Sequence, residues 1–155
     1  MNREAIIRPA HPSERQALEA LQRRASLANE GDREALLSNP DAISLPEEQI
    51  IAGHVFVCEL KEDAGEKIAG FAALLARPDR NFELDGLFVE PGLWRGGIGR
   101  MLVDYCAGVA RGHGAASLHV IGNPHAERFY QRNGFVAAGT MDTRFGVGLL
   151  MQKAL

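Results

Sequence analysis

The sequence predicts an α+β fold, one domain over residues 1–155 with a strand–helix–strand unit at its centre. Three observations lead there. The chain has 155 residues and is 46% hydrophobic, enough for one globular domain with a sizeable core. Residues 54–90 contain three consecutive β-rich runs, HVFVCEL, KIAGFAALLAR and FELDGLFVE, separated by polar connections. An amphipathic helix follows, with Ile98, Met101, Leu102, Tyr105, Cys106 and Val109 at the spacing of one helical face.

The other elements follow in chain order. EAIIRP at 4–9 reads as a short strand stopped by Pro9. Ser13 is placed to cap a helix, with Gln16 completing a capping box, and Leu18, Leu21 and Ala25 give that helix an apolar face. NEGDR at 29–33 breaks it, a second helix covers 32–38, and Asn39-Pro40 ends that one. Residues 46–52 form a third helical piece. KEDAGE at 61–66 is a polar turn, Arg77 to Asn81 a tight connection, and Pro91-Gly92 closes the third strand. Gly112 and Gly114 end the central helix and ASLHVIG is a strand. Asn123-Pro124 opens a short helix, with Asn at the N-cap and Pro first inside, and Asn133-Gly134 closes it. FVAAGT and VGLLMQKAL are the final strands, joined by MDTRFG.

Composition excludes several classes. The formal charge is −3, without the basic excess a nucleic-acid partner requires. The longest apolar run, Ile68 to Ala76, is too short to span a bilayer, and MNREAIIRPA lacks the apolar core of a secretory signal. Cys58 and Cys106 are two lone thiols, which suits the reducing cytoplasm. Two cysteines and five scattered histidines offer no metal-ligand spacing, so no metal is expected.

One stretch carries chemistry. Trp94-Arg95-Gly96-Gly97-Ile98-Gly99-Arg100 places three glycines directly at a helix start. The first N–H groups of a helix lack intrahelical partners and sit at the positive end of its dipole. Glycines let a phosphate approach, and Arg95 and Arg100 add forked donors. The dinucleotide pattern G-x-G-x-x-G fails at Leu102, and no Gly-Lys-Ser/Thr is present for a P-loop. The alternative is a glycine-rich turn that only makes room for packing.

Read with its neighbours, this stretch resembles the GCN5-related N-acetyltransferase superfamily. LDGLFVEPGLWRGGIGRMLVDYC is similar to the family's acyl-CoA motif, a strand ending in V-x-P, a loop, then Q/R-x-x-G-x-G/A opening a helix. Trp94 departs from it, standing where Gln or Arg is usual. VIGNPHAERFYQRNGF is similar to the family pattern N-x-x-A-x-x-F/L-Y-x-x-x-G-F, filled by Asn123, Ala126, Phe129, Tyr130, Gly134 and Phe135. The resemblance implies an α/β/α layered fold with a mixed, mostly antiparallel sheet of six to seven strands and about four helices. It implies acetyl-CoA as cosubstrate, with pantetheine along the backbone of Leu87, Phe88 and Val89 and pyrophosphate on residues 94–100, Ile98 included. Asn123 and Phe129 would lie near pantetheine, and fourth and fifth strands that splay apart would admit it. The partner implied is an amine acceptor, and homodimer formation stays open.

Transfer of an acetyl group to an amine needs a neutral amine and a protonated leaving thiolate. On the resemblance, Tyr130 is the acid; a phenol is protonated at neutral pH and can donate. The alternative is a core tyrosine beside Phe129. Glu83 matches the base glutamate of the histone-modifying branch, and Asp85, two residues on, shares its strand face. Two such acids can raise one pKa; the alternatives are a solvated carboxylate pair or a base water. His119 is expected to be a satisfied structural histidine, and Arg128, Arg132 and His125 solvent-exposed. A non-catalytic acyl-CoA sensor and a nucleotide-binding module without acyl chemistry are the rival functions.

Overall fold

The computed structural model describes residues 4–155. Seven strands order as β1-β2-β3-β4-β5-β7-β6 in one mixed sheet, accompanied by five α-helices. The chain packs as two compact units. The first takes the chain up to Ala73 and again Gly86–Leu102; the second comprises Leu74–Asp85 and Val103–Leu155.

In the first unit, β1 (Glu4–Pro9) pairs antiparallel with β2 (Val55–Glu62), from Glu4↔Lys61 to Pro9↔Phe56. β2 pairs antiparallel with β3 (Gly65–Ala76), from Val55↔Ala73 to Glu62↔Gly65. Helices α1 (Arg15–Ala28), α2 (Glu30–Ser38) and α3 (Glu47–Ile51) lie between β1 and β2 in the chain. Leu18 and Leu21 of α1 join Ile50, Val55, Val57 and Phe71 in one apolar cluster. Burial of these side chains is what holds the unit together, each contributing about 1.5–3 kcal/mol.

In the second unit, β4 (Phe82–Val89) begins beside β5 (Ser117–Gly122) in a parallel ladder. Parallel pairing requires a crossover, which α4 (Ile98–Gly112) supplies. β5 pairs antiparallel with β7 (Gly146–Ala154), and β7 with β6 (Val136–Thr143). The short α5 (Glu127–Arg132) connects β5 to β6. Asn81, in the connection ahead of β4, accepts from the N–H groups of Ala116 and Ser117 at 2.9 and 3.1 Å and so pins the start of β5.

Several sequence expectations are corrected. α1 is not capped by Ser13 and Gln16. Pro12 opens a 3₁₀ turn over Pro12–Glu14, and the Glu14 carboxylate accepts from the His11 N–H at 2.8 Å. Proline's fixed φ starts the turn one residue earlier, and Gln16 falls inside the helix. The break at 29–33 shrinks to Asn29, whose Oδ1 accepts from Gly31 N–H at 3.1 Å and caps α2 at once. Two predicted turns are also shorter, since β2 runs to Glu62 and β6 to Thr143. The buried stripe of α4 is Ile98, Leu102, Val103, Cys106, Ala107 and Ala110, whereas Met101 is 37% exposed. Small alanines mark the packed side there, and an apolar-periodicity reading passed over them for the larger methionine. The helical piece expected at 46–52 is α3, Glu47–Ile51.

A charged knot ties β1, the α1 entrance and β2. Arg8 Nη1 and Nη2 donate to Glu14 Oε1 and Oε2 at 2.9 and 2.8 Å, and its Nε donates to Glu59 Oε2 at 2.6 Å. Arg8's hydrogen bonds hold the Glu14 carboxyl below its ordinary range. A depressed carboxyl stabilises the fold above its unfolded pKa, and that contribution is lost as pH falls through the folded value. The pair is partly exposed and screened, so Arg8→Leu should cost about 1 kcal/mol at neutral pH. Urea unfolding at stepped pH should show the wild type losing stability into acid more steeply than Arg8→Leu; parallel curves would remove the linkage.

Candidate active site

The expected acyl-CoA elements fall on β4, the loop after it, and the β5–α5 corner. The β4–β5 ladder runs Phe82↔Leu118, Glu83↔His119 and Leu84↔Val120. β4 continues to Val89.

In the first unit, the end of β4 leads into the glycine loop. Glu90 N–H donates to Ala69 O at 2.8 Å, which points that peptide group toward β3. Every peptide bond among the described residues is trans, so the Val89 carbonyl points the opposite way. Backbone groups alternate sides along a strand, which puts those of Leu87 on the same side as Val89 and those of Phe88 toward β3. A 3₁₀ turn over Pro91–Leu93 then brings the chain to Trp94. Arg95 has φ 67° and Gly97 φ 86°. The left-handed conformation is free for glycine but strained for arginine, by about 1 kcal/mol. Nothing lies within 4 Å of where a Cβ on Gly97 would be, so the loop is open there. The first helical bond of α4 runs from Met101 N–H to Gly97 O at 3.0 Å. The N–H groups of Ile98 and Gly99 precede it, as an anion cradle requires. Arg100 is exposed in the first turn, and Gly96 is exposed beside Arg95. The structure therefore brings together Leu87, Phe88, Val89 and residues 94–100. It adds one contact that sequence reasoning missed. The Arg24 guanidinium of α1 forks onto Glu90 at 2.8 Å through each nitrogen, at the joint between strand and loop.

In the second unit, Glu83 and Asp85 sit two residues apart on the more exposed face of β4, while Phe82 and Leu84 are buried on the other. Burial raises the Glu83 pKa, the Asp85 charge adds to the rise, and Arg77 opposes it. Such a carboxylate is a stronger base than an ordinary one. His119 pairs with Glu83 in the ladder, and its Nε2 lies 2.8 Å from Ser117 Oγ, a satisfied histidine. Burial holds its pKa below the ordinary value, with Arg77 adding to the drop and Asp79 opposing it.

Asn123 Oδ1 accepts from His125 N–H at 3.1 Å and caps the turn that leads to α5. Tyr130, on α5, is buried between two rings. Phe129 and Phe135 each meet it edge-on at 5.3 Å between centroids. Its ring also packs on Gly122 of β5, where an added Cβ would lie 3.2 and 3.3 Å from two ring carbons. That aromatic clamp fixes the phenol's direction. Arg128, Arg132 and His125 are exposed. Cys58 and Cys106 are buried free thiols, and burial pushes Cys106 up to about 12 and raises Cys58. Neither is poised as a nucleophile. Among the described residues no group of three or more metal-ligating side chains occurs, and no helix is long and apolar enough to cross a membrane.

Comparison with known proteins adds the family. The chain matches the Acetyltransferase (GNAT) family over residues 16–135 and belongs to it. Solved structures share its fold. A GCN5-related N-acetyltransferase from Rhodopseudomonas palustris superposes with a TM-score of 0.76 at 23% identity, covering 100% of this chain and 99% of that one. PaiA N-acetyltransferase from Thermoplasma acidophilum, solved with coenzyme A, gives 0.73 at 18% identity, covering 98% and 99%. YncA from Salmonella typhimurium, solved with acetyl-CoA, gives 0.69 at 21% identity, covering 98% and 94%. No curated protein matches the sequence.

The Tyr130 clamp is testable. Gly122→Ala places a methyl against a ring that also meets the buried Phe135 edge-on. The ring must shift by a few tenths of an ångström, at a cost of about 1 kcal/mol. Thermal unfolding and a crystal structure of the variant should show both effects; an unmoved ring at unchanged stability would remove the clamp.

Proposed function

We propose that the protein is an N-acetyltransferase, one catalytic domain over residues 1–155, that moves the acetyl group of acetyl-CoA to a primary amine of a small molecule or peptide. The observation that carries this is the glycine loop, with left-handed Gly97, open space where its Cβ would be and the Ile98 and Gly99 N–H groups ahead of the first α4 bond, reached from β4, whose Leu87 and Val89 backbone groups point away from β3. A pantetheine arm carries amide groups and pairs with such backbone as a strand would. The cytoplasm is the compartment that two buried free thiols suit.

Acetyl-CoA supplies an activated thioester carbonyl for an amine to attack. Leu87 and Val89 offer backbone donors and acceptors to the pantetheine amides. The N–H groups of Ile98 and Gly99, with Arg95 and Arg100 nearby in sequence, hold the pyrophosphate. Glu83 removes the ammonium proton, directly or through a water, and Asp85 keeps its pKa up. The neutral amine forms the C–N bond as the C–S bond breaks, and the nitrogen then gives up its second proton, which balances the one lost by Tyr130. Tyr130 gives its phenolic proton to the departing thiolate. The raised thiol pKa values favour this direct transfer over a cysteine acyl-enzyme.

Calorimetric titration tests the reading. Acetyl-CoA and CoA should bind at micromolar levels and ATP and NAD should not; no binding of acetyl-CoA by folded protein would end it. Tyr130→Phe should lower kcat about 100-fold or more while leaving the acetyl-CoA Kd within about twofold. Unchanged turnover in a thiol-release assay with an accepted amine would exclude Tyr130 as the acid.

The Glu83 role predicts a pH signature. A base works deprotonated, so kcat should rise with pH through the raised Glu83 pKa and then level. Glu83→Gln should lower the plateau and erase that acid limb. An identical limb in the variant would assign the base elsewhere.

A further inference from the structure

Trp94 departs from the family motif, and its side chain makes a bond that bears on the coenzyme site. The indole Nε1–H donates to the Val89 carbonyl at 2.8 Å, a well-formed hydrogen bond. That carbonyl points away from β3, because the Glu90 N–H of the same trans peptide points toward β3 and bonds Ala69 O. It is therefore one of the free-side acceptors that a strand-like ligand would use. Phe88 O provides an independent check on the alternation. It lies 2.7 Å from where a Cβ on Gly70 of β3 would sit, so Phe88 faces β3 and Val89 does not.

We propose that Trp94 is an exchangeable stand-in for the coenzyme's amide arm: its indole N–H occupies the Val89 carbonyl until a pantetheine amide replaces it. The inference rests on the coenzyme role proposed above. Three features make the exchange feasible. The bond lies at the surface, with the indole 44% exposed, so its net strength is that of a solvent-competed hydrogen bond. The residue belongs to the cradle loop itself, between the turn that ends at Leu93 and the left-handed Arg95. Trp94 N–H meets Pro91 O at the long distance of 3.3 Å, as does Gly96 N–H with Leu93 O, so the local backbone bonds that hold the indole's base are weak. Without ligand, the indole spares Val89 an unpaired strand-edge carbonyl. With ligand, one N–H donor replaces another on the same oxygen.

Trp94 is the only tryptophan, so the protein has one indole N–H resonance, and NMR can follow it without interference. Acetyl-CoA should move that resonance toward the position of an unbonded indole and speed its exchange with water. The phosphorylated ADP half of CoA, which carries the pyrophosphate but no pantetheine, should perturb the backbone amides of residues 95–99 and leave the indole bonded. Trp94→Phe keeps an aromatic ring and loses the donor. It should bind CoA about fivefold more tightly, the worth of one such bond, and bind the ADP half as the wild type does. Calorimetry separates the failures. CoA heat with an unmoved indole resonance, or a Trp94→Phe protein that binds CoA more weakly, overturns the exchange and leaves the coenzyme reading standing. No CoA heat from the folded wild type overturns both.

Discussion

The second unit depends on the short parallel ladder between β4 and β5. Three in-register residues, Phe82, Glu83 and Leu84, bond to β5, and the strand then runs on for five more. A parallel ladder is held by slanted bonds and needs its crossover helix to bring it together. Here the paired end is secured from both sides. Asn81 fastens the first rungs to Ala116 and Ser117, and Phe82 and Leu84 are buried. Beyond Leu84 the strand keeps its β3 neighbour, as the bond from Glu90 to Ala69 demonstrates. One strand thus begins as a rung beside β5 in the second unit and ends beside β3 in the first. Glu83 and Asp85 stand at the change, where a carboxylate is desolvated enough to become a better base yet still reached by solvent.

Much of this was legible in the sequence, for definable reasons. The α4 start was legible because three glycines before an apolar helical pattern have few uses, and the Asn123-Pro124 start because each residue type suits its capping position. The paired motifs, including Asn123 through Phe135, carried the family. What stayed hidden depends on partners far along the chain. Arg8 meets Glu59 across 51 residues and Arg24 meets Glu90 across 66, and no local pattern marks either contact. The α1 entrance was misread because Ser13 and Gln16 also fit a capping box; Pro12 and Glu14 compete for the same role and prevail. The length of the β4–β5 ladder is not written in residue spacing at all. It was expected only from the resemblance.

The aromatic residues around Tyr130 illustrate how packing fixes the direction of a side chain. On a six-residue helix a tyrosine would sample several rotamers, since so short a helix is not stable alone. Two edge-on phenylalanines and a close-packed Gly122 remove those alternatives. Lys153 assists from β7 by donating to Asn133 O at 2.6 Å, at the C-terminal end of α5, where a cation is favoured. The same contacts that stabilise the corner thus orient the Tyr130 ring.

An unpaired strand edge is a liability, and the two edges at issue are treated differently. β6, the last strand in the sheet, is irregular between Ala137 and Gly139, and Gly139 adopts φ 146°. Such a bulge twists an edge away from further pairing. At the end of β4 the Val89 carbonyl, which points away from β3, is occupied by an indole from five residues on. An edge that must accept one partner and refuse others is better closed by a side chain that can leave than by a distortion of backbone that cannot. Trp94, hydrogen-bonded and half in solvent, has the properties of the former.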